Sequence, residues 1–494
     1  MFLEFDGQGP AYAQLTRALK ASILNGRLKA NTRLPSTRAL AQEVGMSRIT
    51  ALAAYEQLRA EGFVYVRVGA GSYVSNLQAS PPLRLLKGEP IAAPSRYAKR
   101  ARTQRDPLLT RRHHGLRLNM QYGEPMTQPA LSTIWARELA HAAVYTPLER
   151  GDPQGLFALR EQICRYLALR RGVDAHPNHV LIINGAQQAY ALTARVLLNE
   201  GDAAVMEEPH YFGMWQSFAA HGANLLPVRT DREGLVCAEL PMQAPRLICV
   251  TPSHQFPSGP TMSLSRRLEL LRYAEARQSW ILEDDYDSEF RFDSQPLAAL
   301  RSLDDADRVI YVGTFSKTLF GSMRLGYMVL PAALRQDFIN AKYLADICNP
   351  VIEQAALAHF MESGGFERHL RQMGRTLKAR REVLINGLRR YAGERIQIAD
   401  SHAGMHVVVW LRDYDHTQLE ALIDYAHERG LGLYPIAPHY HARPATPGLL
   451  LGYCGLSSLE LQEAAQLFGT CLDATDAKMI CTSMESLPLR RHSG

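Results

Sequence analysis

Residues 311–327 read "YVGTFSKTLFGSMRLGY". An apolar, β-like run up to Thr314 enters a short hydroxylated segment that holds one lysine, Lys317, and Arg324 follows seven positions on. Lysines normally occupy solvated faces. One set among small and apolar neighbours suits covalent chemistry, because desolvation or a nearby cation makes its ammonium easier to deprotonate.

Working outward, the chain supplies the other parts that a pyridoxal-type site needs: a carboxylate for the ring nitrogen, donors for a phosphate and an aromatic face. Upstream, "SWILEDDYDSEFRF" (279–292) is an apolar strand that runs into a cluster of acids and a tyrosine. Acids at a strand's C-terminal end face the crevice where α/β sheets take ligands. Asp284 is placed to hold a proton on a ring nitrogen, and Tyr286 to donate to a phenolic oxygen. "LIINGAQQAYALTARVLL" (181–198) reads as strand, glycine turn and helix, so the amides of Gly185, Ala186 and Gln187 open a helix N-terminus suited to a phosphate. Thr314 and Arg324 would add a hydroxyl and a cation to that phosphate. "EEPHYFGMW" (207–215) contributes Tyr211 as a stacking face. Each feature alone is weak; their conjunction carries the reading.

From about 116 to 474, short β-rich segments ("HVLIING", "AAVMEE", "RLICVTP", "WILEDD", "RVIYVGT", "RLGYMVL") alternate with helical ones. That alternation predicts an α/β domain with a mainly parallel sheet, closed by a smaller C-terminal α/β subdomain. Residues 475–494 read as a disordered tail. The N-terminal part, residues 1–75, differs. "TRALAQEV" and "RITALAAYEQLRAE" are short helices separated by Gly45-Met46-Ser47, and "FVYVRVGAGSYVS" alternates around a turn as a hairpin does. Tight turn and hairpin together predict a winged helix-turn-helix, its second helix buried through Val44, Leu52, Tyr55 and Leu58. Between these parts, residues 76–115 show proline and charge without a period, as a linker does. Residues 76–117 hold ten basic side chains against two acidic ones, and residues 1–75 nine against five, within a net charge of +6 for the whole chain. Basic charge gathered at one end suggests a polyanion partner there.

The 494-residue chain has no apolar run long enough to span a bilayer, and its N-terminus lacks the pattern of a secretory signal. Seven dispersed cysteines without a CxxC pair speak against a disulfide framework or metal site and for a cytoplasmic location.

The segment "LPSTRALAQEVGMSRITALAAYEQLRAEGFVYVRVGAGSYV" (34–74) resembles the GntR family of winged-helix repressors nearly end to end. Ser47, Arg48 and Thr50 open the second helix at the end that would enter the major groove, and the resemblance implies DNA contacts from Arg38, Arg48 and Thr50, with Gly69 to Gly71 at the wing tip. "TPSHQFPSGPTMSLSRR", "EDDYDSEFRF" and "GTFSKTLFGSMRLGY" resemble fold-type I aminotransferases and, joined to such a module, the MocR/GabR subgroup of GntR regulators. This likeness covers nearly the whole chain to about residue 474. It implies pyridoxal 5′-phosphate (PLP) as cofactor, with Lys317 forming the internal aldimine and Asp284 as the ring-nitrogen partner. Tyr286 would be the phenolic-oxygen donor and Tyr211 the stacking ring, with Ala186, Gln187, Thr314 and Arg324 on the phosphate.

Two positions depart from the pattern. Leu450, in "GLLLGYCG" (448–455), falls where aminotransferases hold the substrate carboxylate with an arginine. Gly213 falls where some members of the subgroup carry another. Arg443, Arg117, His439 and His441 are substitutes by charge alone. The expected protein is therefore a PLP-dependent transcriptional regulator. It would sense a small amine, an amino acid or PLP itself through Lys317, bind operator DNA as a head-to-tail homodimer, and have at most residual transaminase activity. The rival expectation is an active aminotransferase with an autoregulatory DNA-binding module.

Overall fold

The structure, a computed structural model, describes residues 3–76, 93–104, 113–126, 129–147, 149, 151–292, 297–401 and 403–485. Two compact units emerge, Met1–Ala93 and Pro94–Gly494.

In the first unit, α1 (Ala11–Leu24), α2 (Thr37–Glu43) and α3 (Arg48–Ala60) precede a hairpin of β1 (Val64–Arg67) and β2 (Gly71–Val74). Serine side chains start the two later helices: Ser36 Oγ accepts from Ala39 N at 3.2 Å, and Ser47 Oγ from Thr50 N at 3.0 Å. Each satisfies an amide that the helix itself leaves without a partner. The core joins Leu15 and Leu19 of α1, Leu40 of α2, Ala51, Ala54, Tyr55 and Leu58 of α3, and Val64 and Val74 of the hairpin. Leu52, expected in that core, is 46% exposed. The buried stripe of α3 follows the i, i+3, i+4, i+7 rule from Ala51, whose small side chain lets the helices close up, and Leu52 falls one step off it.

In the second unit eight strands, among the described residues, form a mixed sheet in the order β4-β11-β10-β9-β8-β5-β6-β7. They are β4 (Val180–Ile183), β5 (Ala203–Glu208), β6 (Asn224–Asp231), β7 (Gly234–Leu235), β8 (Leu247–Val250), β9 (Trp280–Asp285), β10 (Val309–Thr314) and β11 (Gly326–Val329). The inner run β10-β9-β8-β5-β6 is parallel, whereas β11 lies antiparallel to both β10 and β4. β4, β8 and β11 are buried at every residue, the signature of a sheet covered on both faces. The helices that follow these strands include α7 (Ala186–Leu197) after β4 and α8 (Phe212–His221) after β5, with α9 (Leu264–Arg277) before β9; α5 (Pro129–Tyr145), α6 (Phe157–Arg171), α10 (Arg335–Asp346) and α11 (Val351–Glu362) complete the set.

A second, antiparallel sheet joins β12 (Ile396–Ile398), β13 (His406–Leu411), β16 (Gly448–Gly452) and β15 (Tyr434–Pro435). With α12 (Gly365–Tyr391), α13 (His416–Glu428) and α14 (Ser458–Glu485) it builds the C-terminal part of the unit. β3 (Leu118–Asn119) pairs with β14 (Leu431–Gly432) and so carries residues 120–126 into this region.

Two boundaries differ from the sequence expectation. Within the stretch expected as a linker, α4 (Arg96–Thr103) is a helix started by Ser95, whose Oγ accepts from Ala98 N at 3.2 Å. It is anchored by Arg100, which donates to Ala220 O at 2.9 Å and His221 O at 3.0 Å and pairs with Glu200 at 3.0 Å. Gly222 ends α8 in a left-handed conformation, and a Cβ there would lie 2.8 Å from this guanidinium. The remaining linker residues, 77–92 and 105–112, lie outside the described residues. The expected tail begins inside α14, which runs on to Glu485. Phe468, Cys471, Leu472 and Thr475 continue its buried stripe, and Asp476 accepts from Tyr414 Oη at 2.7 Å. Residues 486–494 lie outside the described residues.

Candidate functional site

One cleft of about 250 Å³ is lined by all eight residues expected around a cofactor: Lys317, Asp284, Tyr286, Tyr211, Ala186, Gln187, Thr314 and Arg324. The sheet explains the convergence. β4, β5, β9 and β10 all end at this edge, so the ends of β9 and β10 deliver Asp284 and Thr314, and the segments after β4 and β5 deliver Ala186 and Tyr211, to one place. Lys317 lies three residues beyond β10.

The cleft's two ends differ in chemistry. At one end α7 begins at Gly185, which has φ +76° and offers no side-chain cap. Arg324, in a left-handed conformation at φ +50°, lies against this turn and donates to Asn184 O at 3.2 Å. A Cβ on Gly185 would come within 2.9 Å of Arg324 Nη2, and the positive φ there favours glycine over any side chain. Helix amides, dipole and guanidinium together favour a phosphate. Gln187 turns its side chain away, donating to Gly213 O at 3.1 Å and Ser217 Oγ at 2.7 Å, so the feature of Gln187 relevant to an anion is its backbone position.

At the sheet edge, Asp284 is buried and accepts from Tyr190 Oη at 2.7 Å through Oδ2. Its Oδ1 is buried without a hydrogen-bond partner. Burial pushes this carboxyl up to about 7, with the Tyr190 hydrogen bond opposing. Lys317 is pulled down from its ordinary value by burial, against the fields of Glu124 and Asp287. Its Nζ donates to Gly123 O. Tyr286 Oη lies 2.8 Å from His254 Nδ1, and the same nitrogen is 3.0 Å from Asp287 Oδ2. Burial, then the neighbouring acids Asp287 and Asp284, hold the Tyr286 phenol well above its usual range, so it is a donor. Tyr211 starts α8 and meets Phe256 edge-on, with centroids 5.5 Å apart. An unpartnered buried carboxylate oxygen, an uncapped helix start beside an arginine and a desolvated lysine fit a phosphorylated pyridine aldehyde.

Several lining residues were not anticipated: Gln121, Tyr122, Glu124, Tyr190, Phe256, Met405 and His406. Gln121, Tyr122, Glu124, Met405 and His406 arrive from segments distant in sequence, through β3 and β13. Tyr190 alone carried a local signal, since it lies one helical turn into α7 from the expected phosphate amides.

None of the substitute cations lines the cleft. Arg443 pairs with Glu420 at 2.9 Å and Arg117 with Glu463 at 2.6 Å. His441 is exposed beside Trp215. His439 is fully buried, with Nε2 2.8 Å from Tyr122 Oη and Nδ1 3.2 Å from His210 O. Leu450 is fully buried in a cluster with Tyr122, Phe256, Val408, Tyr434 and Ile436. Gly213 has no room for a side chain, since a Cβ would stand 2.7 Å from the Tyr211 ring.

In the first unit, Arg38 and Arg48 are exposed at the starts of α2 and α3, and Thr50 is half-buried. Ser47 is exposed, but its hydroxyl is the cap of α3 and also lies 2.8 Å from Thr50 Oγ1. Gly69 and Gly71, at φ +78° and +111°, form the exposed tip of the hairpin.

Fold and site define a helix-turn-helix unit joined to an aminotransferase-type domain, and comparison with known proteins gives the same pair. Residues 11–74 match the gntR family of bacterial regulatory proteins, and residues 120–434 match aminotransferase class I and II. The probable rhizopine catabolism regulatory protein MocR of Rhizobium meliloti is 36% identical over 473 residues, 94% of each chain. The HTH-type transcriptional regulator TauR of Rhodobacter capsulatus is 36% identical over 409 residues, 78% of this chain and 81% of its own. Among solved structures, the α-aminoadipate aminotransferase LysN of Thermus thermophilus, complexed with N-(5′-phosphopyridoxyl)-L-leucine, superposes with a TM-score of 0.69 at 27% identity. That match covers 78% of this chain and 98% of LysN. The chain belongs to the MocR/GabR subgroup of the GntR family of transcriptional regulators. Among the described residues, no helix is long and apolar enough to cross a membrane.

Proposed function

We propose that the protein is a PLP-dependent transcriptional regulator that senses a small amino compound, or PLP itself, at Lys317. The observation that carries the reading is the cleft: a desolvated lysine, a buried carboxylate with an unpartnered oxygen and an uncapped helix start, on the same chain as a winged helix. When bound, the cofactor supplies an aldehyde carbon that exchanges one amine for another. Lys317 would hold that carbon, and its lowered pKa keeps the amine ready to take it and to give way to an incoming amine. Asp284 would face the ring nitrogen and keep a proton there. Tyr286 would donate to the phenolic oxygen, steadied by His254 and Asp287. Tyr211 would cover one face of the ring, and the backbone of Ala186 and Gln187, Thr314 and Arg324 would take the phosphate.

Arg38, Ser47, Arg48 and Thr50 would read or position operator DNA from the starts of α2 and α3, with the wing at Gly71 beside the backbone. A head-to-tail homodimer in the cytoplasm would present two such units to paired half-sites. The effector acts by binding the two arrangements of the regulator unequally. Leu450 and Gly213, where carboxylate-binding arginines would stand, favour sensing over amino-acid turnover.

The test is Lys317→Ala. The purified variant is expected to lose the visible absorbance band of the bound cofactor and to keep salt-dependent operator binding. A band that persists, or steady transamination by the unsubstituted protein at ordinary enzyme rates, about 1 s⁻¹ or more, overturns the reading.

A further inference from the structure

We propose that the effector held at Lys317 is a primary amine that carries no carboxylate, the chemical class produced when an amino acid is decarboxylated. This rests on the PLP reading above and narrows it.

An amino acid placed on Lys317 brings a carboxylate into the cleft with its amine. Leaving that charge without a cation in a partly buried site costs several kcal/mol. Among the described residues lining the cleft, the cations are Lys317 and Arg324. Arg324 is committed to the helix start, where it lies against Gly185 and donates to Asn184 O. Lys317 is itself the amine being exchanged. Neither is left to hold a carboxylate.

The opposite wall is apolar or neutral. Leu450 is fully buried beneath Tyr122 and Phe256, and Gly213 is blocked by the Tyr211 ring and by Gln187 Oε1, 2.9 Å from a Cβ placed there. His406, which lines the cleft, has Nε2 2.9 Å from Pro257 O and is buried. Burial drives its pKa down to about 4, so the imidazole is neutral near pH 7. His439 behind Tyr122 is likewise neutral, driven by burial to about 3. Besides Arg324, which is engaged at the helix start, the exposed charge among the lining residues is Glu124, an acid, held by Gln121 Nε2 at 2.9 Å. A second carboxylate would meet repulsion there and, among the described residues that line the cleft, no cation beyond Lys317 and Arg324. An aliphatic or aromatic body instead meets Phe256, Tyr122 and Met405.

The experiment uses full-length, PLP-loaded protein and matched pairs: phenylalanine with 2-phenylethylamine, lysine with 1,5-diaminopentane, and 4-aminobutanoate with propylamine. Two readouts are followed, the visible absorbance of the bound cofactor and the affinity for operator DNA. Each carboxylate-free amine is expected to reach its half-effect at a concentration at least ~30-fold below that of its acid partner, the ratio that ~2 kcal/mol gives. An acid that acts at equal or lower concentration than its amine overturns the proposal. A protein that shows no cofactor band at the outset instead overturns the PLP reading, so the two failures are told apart before any amine is added.

Discussion

Two helix N-termini in this chain are proposed to meet phosphates, and they are built in opposite ways. α3 is closed: Ser47 caps its amides from within, and what it offers outward is the exposed Arg48 side chain. α7 is open: Gly185 supplies no side chain, and Arg324 leans over the bare turn. A helix that must leave and re-bind its polyanion is complete on its own, whereas a helix that keeps a resident phosphate leaves its first amides for the ligand to satisfy. The same contrast extends to the surroundings. The first unit buries an almost wholly apolar core, while the cleft leaves a carboxylate oxygen of Asp284 buried without a partner.

The largest expected effect attacks that incompleteness. Asp284 has its pKa raised from 3.8 to about 7 by burial. In the cofactor-free protein this group therefore favours folding only while protonated, a contribution intact below about pH 4 and lost as pH rises through about 7. Asp284→Asn removes the ionisation. Cofactor-free Asp284→Asn is expected to be more stable than the cofactor-free parent by a few kcal/mol at about pH 8, taking ~1.4 kcal/mol per pKa unit. Thermal melts should show the gap closing towards about pH 4, and a gap that does not vary with pH would falsify the assignment.

Gly185→Ala comes next. It imposes a side chain on a left-handed turn and drives its Cβ to 2.9 Å from the Arg324 guanidinium. PLP affinity, read by absorbance titration, should fall by ~100-fold, the scale of 2–3 kcal/mol of strain and lost contact. Unaltered affinity would mean that the open helix start is not the phosphate site. On the other helix, Arg48→Ala is expected to weaken operator binding by ~10- to 100-fold and to leave the PLP band as it was. Loss of both together would dissolve the division between the two ends. Smallest is Ser47→Ala, which removes the cap of α3 and should lower the stability of the first unit by ~1 kcal/mol in chemical denaturation. A larger loss in operator affinity than in stability would show that Ser47 also touches DNA.

How much of this was legible in the sequence depended on distance along the chain. Lys317, Thr314 and Arg324 lie within eleven residues, and Gly185 with Ala186 forms a turn whose consequences are local. Asp284 was readable because it ends an apolar strand. The missed wall of the cleft comes from long-range pairing: β3 beside β14 brings Gln121 and Tyr122, and β13 brings Met405 and His406. No periodicity announces such neighbours. Leu52 misled because its hydrophobicity suited the core while its angular position did not. Helix α4 was hidden by composition, since none of its side chains is buried and its order derives from Ser95 and Arg100.

That last contact turns α8 into a strut. Its amino end begins at Tyr211 in the cleft wall, and its carboxyl end is gripped by Arg100 of α4. Ten residues of α-helix are a nearly inextensible rod about 15 Å long. The first helix of the second unit, α4, thus stands one helix length from the ring of Tyr211 in the cleft wall.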